Sequence, residues 1–120
     1  MVKIAIDANG GDFGVNTTVK GSMMAVKKIK DLELVLYGDE AKIKPLLTDS
    51  TRITIVDTKT TIDMGEKDPV HAIRSLKDSS LVMAMNSCKH GETDACVTSG
   101  PTQCVVVGAH LIIRRLPQMD

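Results

Sequence analysis

Apolar positions along the chain change period repeatedly, and each change marks an element. Residues 2–6 are a short apolar run broken by Lys3. The run ends in Asp7-Ala8-Asn9-Gly10-Gly11-Asp12 and reads as a strand entering a glycine turn. Between 16 and 30, Val19, Met23, Val26 and Ile29 recur at intervals of three and four, which predicts an amphipathic helix that Asn16 or Thr17 can cap. The β-rich residues 33–37, closed by Gly38-Asp39, predict a second strand. Residues 39–47 predict a short helix with Ile43, Leu46 and Leu47 on one side, and 52–56 a third strand.

Residues 57–67 are polar and aperiodic, as in a loop. Asp68 then suits a helix cap and Pro69 a first helical position, ahead of a helix over 70–76. A further helix is expected over 79–89, where Leu81, Val82, Met85 and Cys88 share a face. Residues 94–97 predict a fourth strand, followed by the turn Thr98-Ser99-Gly100-Pro101. An apolar helix over 102–115 comes last, with Arg114 and Arg115 in its final turn. Val105-Val106-Val107 could read as a strand, but length and the Gly-Pro start favour a buried helix. Strand and helix alternate without an internal repeat. The expectation is one α/β domain over 1–120, with a doubly wound, mostly parallel sheet and right-handed crossovers.

Composition sharpens this picture. The chain is 42% apolar yet only 2% aromatic, with one Phe, one Tyr and no Trp. Its core must come from Val, Ile, Leu, Met and Ala, as in parallel sheets buried on both faces. Fifteen Lys and Arg balance 15 Asp and Glu, so the basic footprint of nucleic-acid binding is missing. Cys88, Cys96 and Cys104 form no CxxC or Cys/His cluster and are expected to be reduced thiols of a cytoplasmic protein, with no metal site. The N-terminus reads as a strand rather than a signal peptide. No apolar run approaches the ~20 residues of a membrane span, so any membrane contact would be peripheral.

In doubly wound sheets ligands bind beyond the carboxyl ends of the strands. Two turns fall there. In the first, Gly10 and Gly11 let the backbone approach a ligand, but the spacing is neither G-x-G-x-x-G nor a P-loop. Asp7 and Asp12 suit a general base, a hydrogen-bond acceptor or a metal ligand; they equally suit fastening the turn. In the second, Thr98, Ser99 and Thr102 supply hydroxyls beside Gly100 at a helix start, a favourable place for phosphate or an oxyanion. Ordinary capping by Ser99 or Gly100, with Pro101 in the first turn, fits as well. Arg74 and Lys77 stand three apart and could present one basic patch to an anion, or simply be solvated charge. His71, His90 and His110 are isolated, and no Ser/His/Asp arrangement can be assigned.

Several of these motifs occur together in one known family. The stretch from Ile4 to Asp12 resembles the opening Asp-Ala-Met-Gly-Gly-Asp signature of the PlsX phosphate acyltransferases. Leu36-Tyr37-Gly38-Asp39, the run from Met64 to Pro69, Arg74, the run from Lys77 to Ser80, and the run from Asp94 to Gly100 follow in that family's order. The resemblance implies an isocitrate/isopropylmalate dehydrogenase-like three-layer α/β/α fold. It also implies a homodimer, with this chain as the N-terminal half of a longer enzyme, inactive by itself. The implied reaction moves a fatty acyl group from acyl carrier protein to inorganic phosphate, giving acyl phosphate for phospholipid synthesis, with no cofactor. Asp7 and Asp12 are then the catalytic candidates. Gly10, Gly11, Thr98, Ser99, Gly100, Thr102, Arg74 and Lys77 are the substrate- and phosphate-binding ones. Alternatives are a short-chain phosphate acyltransferase using acyl-CoA and a non-catalytic anion-binding module. Two departures stand out: Asn9 replaces the family's Met, and Pro101-Thr102-Gln103 replaces Asn-Thr-Gly, so Pro101 deletes a backbone donor.

Overall fold

Strands covered on two faces need mostly apolar side chains, as in β1 (Val2–Asp7), β2 (Leu32–Gly38) and β3 (Ile53–Asp57), whereas β4 (Ala95–Val97) is short and exposed on one face. In the computed structural model, which describes residues 1–9 and 14–113, these strands form a sheet of order β3-β2-β1-β4. All its pairings are parallel, with Ile4 opposite Leu34 and Ala95, and Leu34 opposite Ile53. The pleat then sorts side chains between two cores. Ile4, Ile6, Leu32, Leu34, Leu36, Ile53 and Ile55 pack with Val19 and Val26 of α1 (Gly14–Lys28). Ala5, Val35, Tyr37, Val56 and Cys96 point the other way, onto Ala84 of α4 (Ser80–Lys89). The result is the three-layer α/β/α arrangement that the strand–helix alternation predicts.

Short helices complete the layers. Asp39 caps α2 (Glu40–Ile43), its carboxylate accepting from the Ala41 N–H at 3.1 Å. Asp68 caps α3 (Pro69–Ser75), accepting from the His71 N–H at 3.1 Å, with Pro69 in the first turn as expected. A separate core of Ile62, Ile73, Leu81, Val82, Met85 and Cys104 joins α3 and α4 to α5 (Thr102–Gly108). No helix among the described residues is long and apolar enough to cross a membrane.

Several boundaries differ from the expectations, each for a local reason. The first helix begins at Gly14, whose φ of +69° suits glycine, so Asn16 and Thr17 lie within its first turn and do not cap it. The second shrinks to four residues, because Pro45 has no N–H to continue the ladder; Leu46 and Leu47 still pack against the core. The third strand starts at Ile53, since Arg52 takes a left-handed φ of 58°. There the Arg52 guanidinium donates to the carbonyls of Val26 (2.5 Å), Ile29 (3.0 Å), Lys30 (2.9 Å) and Leu32 (2.6 Å), covering acceptors in the last turn of α1, the link after it and the start of β2. Val105–Val107 is helical, but α5 passes into a π-helical turn at Ala109–Ile113 rather than continuing as one α-helix. Arg114 and Arg115 lie outside the described residues.

Candidate functional site

Asp7 ends β1 on the α4 side of the sheet and is 3% exposed. A carboxylate at that depth requires donors. Ser80, the first residue of α4 and 1% exposed, donates its hydroxyl to Oδ1 of Asp7. The Thr98 hydroxyl donates to Oδ2 at 2.7 Å and itself accepts from the Gly100 N–H at 3.0 Å. One carboxylate therefore joins the end of β1, the start of α4 and the turn after β4. A side chain at 100 would crowd this junction, since a Cβ there would stand 3.3 Å from Thr98 Oγ1 and 3.4 Å from Asp7 Oδ2. Ser79 caps α4 by accepting from the Val82 N–H at 3.3 Å, and the positive end of that helix lies beside the carboxylate, where a negative charge is favoured.

A second junction fixes the entry to the glycine turn. Asn9 donates through Nδ2 to the Thr58 carbonyl at 3.0 Å and accepts the Asp39 N–H on Oδ1 at 3.0 Å. Its amide thereby ties β1 to the ends of β2 and β3. Gly38 allows this approach: a Cβ there would lie 2.8 Å from Asn9 Oδ1 and 3.0 Å from the Ala8 Cβ. Gly10, Gly11 and Asp12 lie outside the described residues.

The turn after β4 differs from simple capping by Ser99 or Gly100. Pro101, with φ −58°, occupies the cap position of α5 and makes no side-chain cap bond, because it has no polar side chain to offer. Ser99 and Thr102 are exposed, while Gly100 and Pro101 are buried. A cleft of about 360 Å³ between α1 and the β1–β4 side of the sheet is lined by Ile6, Gly21 and Val97 and reaches Asp7, Thr98 and Ser99. Arg74 and Lys77 share a different cleft of about 380 Å³, lined by Ile73, Asn86 and Leu111. The two clefts have no lining residue in common. The expected basic pair thus lines one cleft, and Thr98 and Ser99 line another.

Cys96, on β4, has its thiol pushed up to about 11 by burial first, then by the negative charge of Asp7, then by Cys88. It therefore stays protonated near neutral pH and is no nucleophile there. Among the described residues no three His, Cys, Asp or Glu side chains stand close enough to hold a metal ion. Ser80 is the residue that periodicity overlooks. It lies in the run from Lys77 to Ser80 that shares in the family resemblance, but nothing along the chain sets it against Asp7.

A family model described as fatty acid synthesis protein matches residues 2–120. The phosphate acyltransferase of Lactococcus lactis subsp. lactis is 47% identical over 119 residues, covering 99% of this chain and 36% of the relative. Those of Acholeplasma laidlawii and Streptococcus pneumoniae are each 41% identical over 120 residues, again covering 36% of the relative. The chain spans about 36% of the length of these curated relatives.

Proposed function

Since the chain belongs to the fatty acid synthesis protein family, we propose that it is part of a phosphate acyltransferase that passes a fatty acyl group from acyl carrier protein to inorganic phosphate. The product, acyl phosphate, would feed phospholipid synthesis in the cytoplasm. The enzyme would work as a homodimer with the isocitrate dehydrogenase-like fold that its motifs resemble.

The observation that carries this reading is the Asp7–Thr98–Gly100 junction at the carboxyl edge of a parallel sheet, where such folds bind their ligands. In the proposed reaction a phosphate oxygen attacks the thioester carbonyl carbon, forming a C–O bond. The tetrahedral oxyanion then collapses, the C–S bond breaks, and the electron pair leaves on sulfur, which takes up a proton. Such a step needs a held phosphate dianion and donors aimed at the oxyanion. Exposed Ser99 and Thr102 offer hydroxyls and backbone N–H groups for this, and Gly100 leaves room for the Thr98 and Asp7 side chains beneath them. Gly10, Gly11 and Asp12 would close the site from the first turn, and Arg74 and Lys77 would serve an anionic part of the substrate farther away. Asp7, one of the two catalytic candidates, would also orient the turn through Thr98, whose hydroxyl donates to its Oδ2.

The test is acyl-phosphate formation by the full-length polypeptide that carries this chain. Acyl carrier protein thioester and acyl-CoA would be compared as donors while phosphate is varied. Product from the carrier-protein thioester with saturable phosphate dependence is expected. Preference for a short acyl-CoA would install the alternative enzyme, and phosphate binding without product from either donor would leave an anion-binding module.

A further inference from the structure

We infer that Ser80 is a positioning residue for the Thr98–Thr102 turn, acting on Gly100 through Asp7 and Thr98; the inference rests on the proposed role of that turn in holding phosphate. The turn follows a three-residue strand at the sheet edge, and Val97 just before it is 52% exposed. Gly100 and Pro101 are buried, whereas Ser99 and Thr102 are exposed, and hydrogen bonds to buried groups add order to the turn.

The direction of each bond matters. A hydroxyl has one hydrogen, so Thr98, by donating to Asp7 Oδ2, turns a lone pair toward the Gly100 N–H. That orientation persists only while the carboxylate keeps its own. Ser80 spends its single hydrogen on the other oxygen, Oδ1. Its backbone is held in turn, with its N–H donating to the Thr60 carbonyl at 3.1 Å and Ser79 capping the same helix. The sequence is therefore a fixed helix start, a buried carboxylate, a directed hydroxyl and a placed backbone N–H. Removing the Ser80 hydroxyl would take one donor from Oδ1 of the carboxylate, weaken its hold on the Thr98 hydroxyl and loosen the Gly100 amide. The turn would loosen where phosphate is held, while the site for the acyl thioester would be left as it is.

Two readouts in the full-length protein test this. Ser80→Ala should raise the KM for phosphate about tenfold while leaving the KM for the acyl thioester within about twofold. It should also speed hydrogen exchange at the Gly100 amide about tenfold, an effect that Thr98→Val should reproduce from the other end of the relay. Ser80→Thr keeps the hydroxyl and should return both values to within about threefold of the wild type. If Ser80→Ala does not fold, Ser80→Cys, with similar volume and a weak donor, carries the same comparison. Unchanged Gly100 exchange in a folded variant overturns the inference, as does an equal change in both KM values. A wild type that makes no acyl phosphate removes the functional reading alone, because Gly100 exchange still decides whether Ser80 holds the turn.

Discussion

A buried carboxylate costs several kcal/mol unless its oxygens are met, and at Asp7 hydroxyls from Ser80 and Thr98 meet them. That pairing also sets the chemistry of its neighbour. The Cys96 thiol is pushed up to about 11, first by burial and then by the Asp7 charge. An unperturbed thiol titrates near 9.0, so between about 9 and 11 the folded state keeps a proton that the unfolded chain has lost. The corresponding stability is fully present below that window and falls as pH rises through it. After allowance for solvent around a half-buried group, the loss should be about 1–2 kcal/mol by pH 10.5. Urea unfolding at pH 7 and pH 10.5 should show this loss for the wild type and a flatter profile for Cys96→Ala. Equal slopes for the two proteins would mean that Cys96 does not carry the effect. Asp7 and Thr98 were legible as site candidates, because each sits where a strand runs into a turn. The Ser80 contact was not, since it joins residues 73 apart.

At the scale of elements, strand ends decide more than helix faces do. Asn9 departs from the family signature, and its amide binds Thr58 and Asp39, so the ends of β1, β2 and β3 act as one unit. Gly38 makes room for it. Gly38→Ala would place a Cβ 2.8 Å from Asn9 Oδ1 and displace the amide from both partners, at a cost of roughly 2–3 kcal/mol. Gly21, within α1, has nothing within 4 Å of a Cβ, so Gly21→Ala should instead stabilise by about 0.5–1 kcal/mol. Chemical denaturation of the two variants should show shifts of opposite sign. A neutral Gly38→Ala would show that Asn9 can move without loss. The Asp68 cap and Pro69 start of α3 could be foreseen, because capping is a local preference. The shortened α2 carried its own signal in Pro45, which apolar spacing outweighed.

At the scale of the whole molecule, the sheet is covered unevenly. Cys96 packs toward α4, whereas Ala95 and Val97 on the opposite face of β4 are exposed. Val106 on α5 is 61% exposed. Among the described residues β4 pairs with β1 alone, so its outer edge is open to another strand. A polypeptide of residues 1–120 should therefore self-associate at micromolar concentration and form no acyl phosphate. Val97→Lys, on the exposed face of β4, should reduce that association, as read by sedimentation velocity. A monomeric, fully active 1–120 polypeptide would contradict both the exposure argument and the proposed division of the site.

What the sequence by itself determined is the part that local physics governs. The α/β class follows from strand and helix periods, and the position of the turn after β4 follows from where those periods break. The scarcity of aromatic residues dictates a mostly aliphatic core, to which Tyr37 adds one ring. The strand order and the join between Asp7, Ser80 and Thr98 were decided only by tertiary structure. So were the Asn9 clamp across three strand ends and the placing of Arg74 and Lys77 in a different cleft from Thr98 and Ser99. The physical reason is the same in each case. Period and capping report a residue's preference for its neighbours along the chain. Which donor meets a buried acceptor, and which clefts stay apart, depends on how the strands are laid side by side.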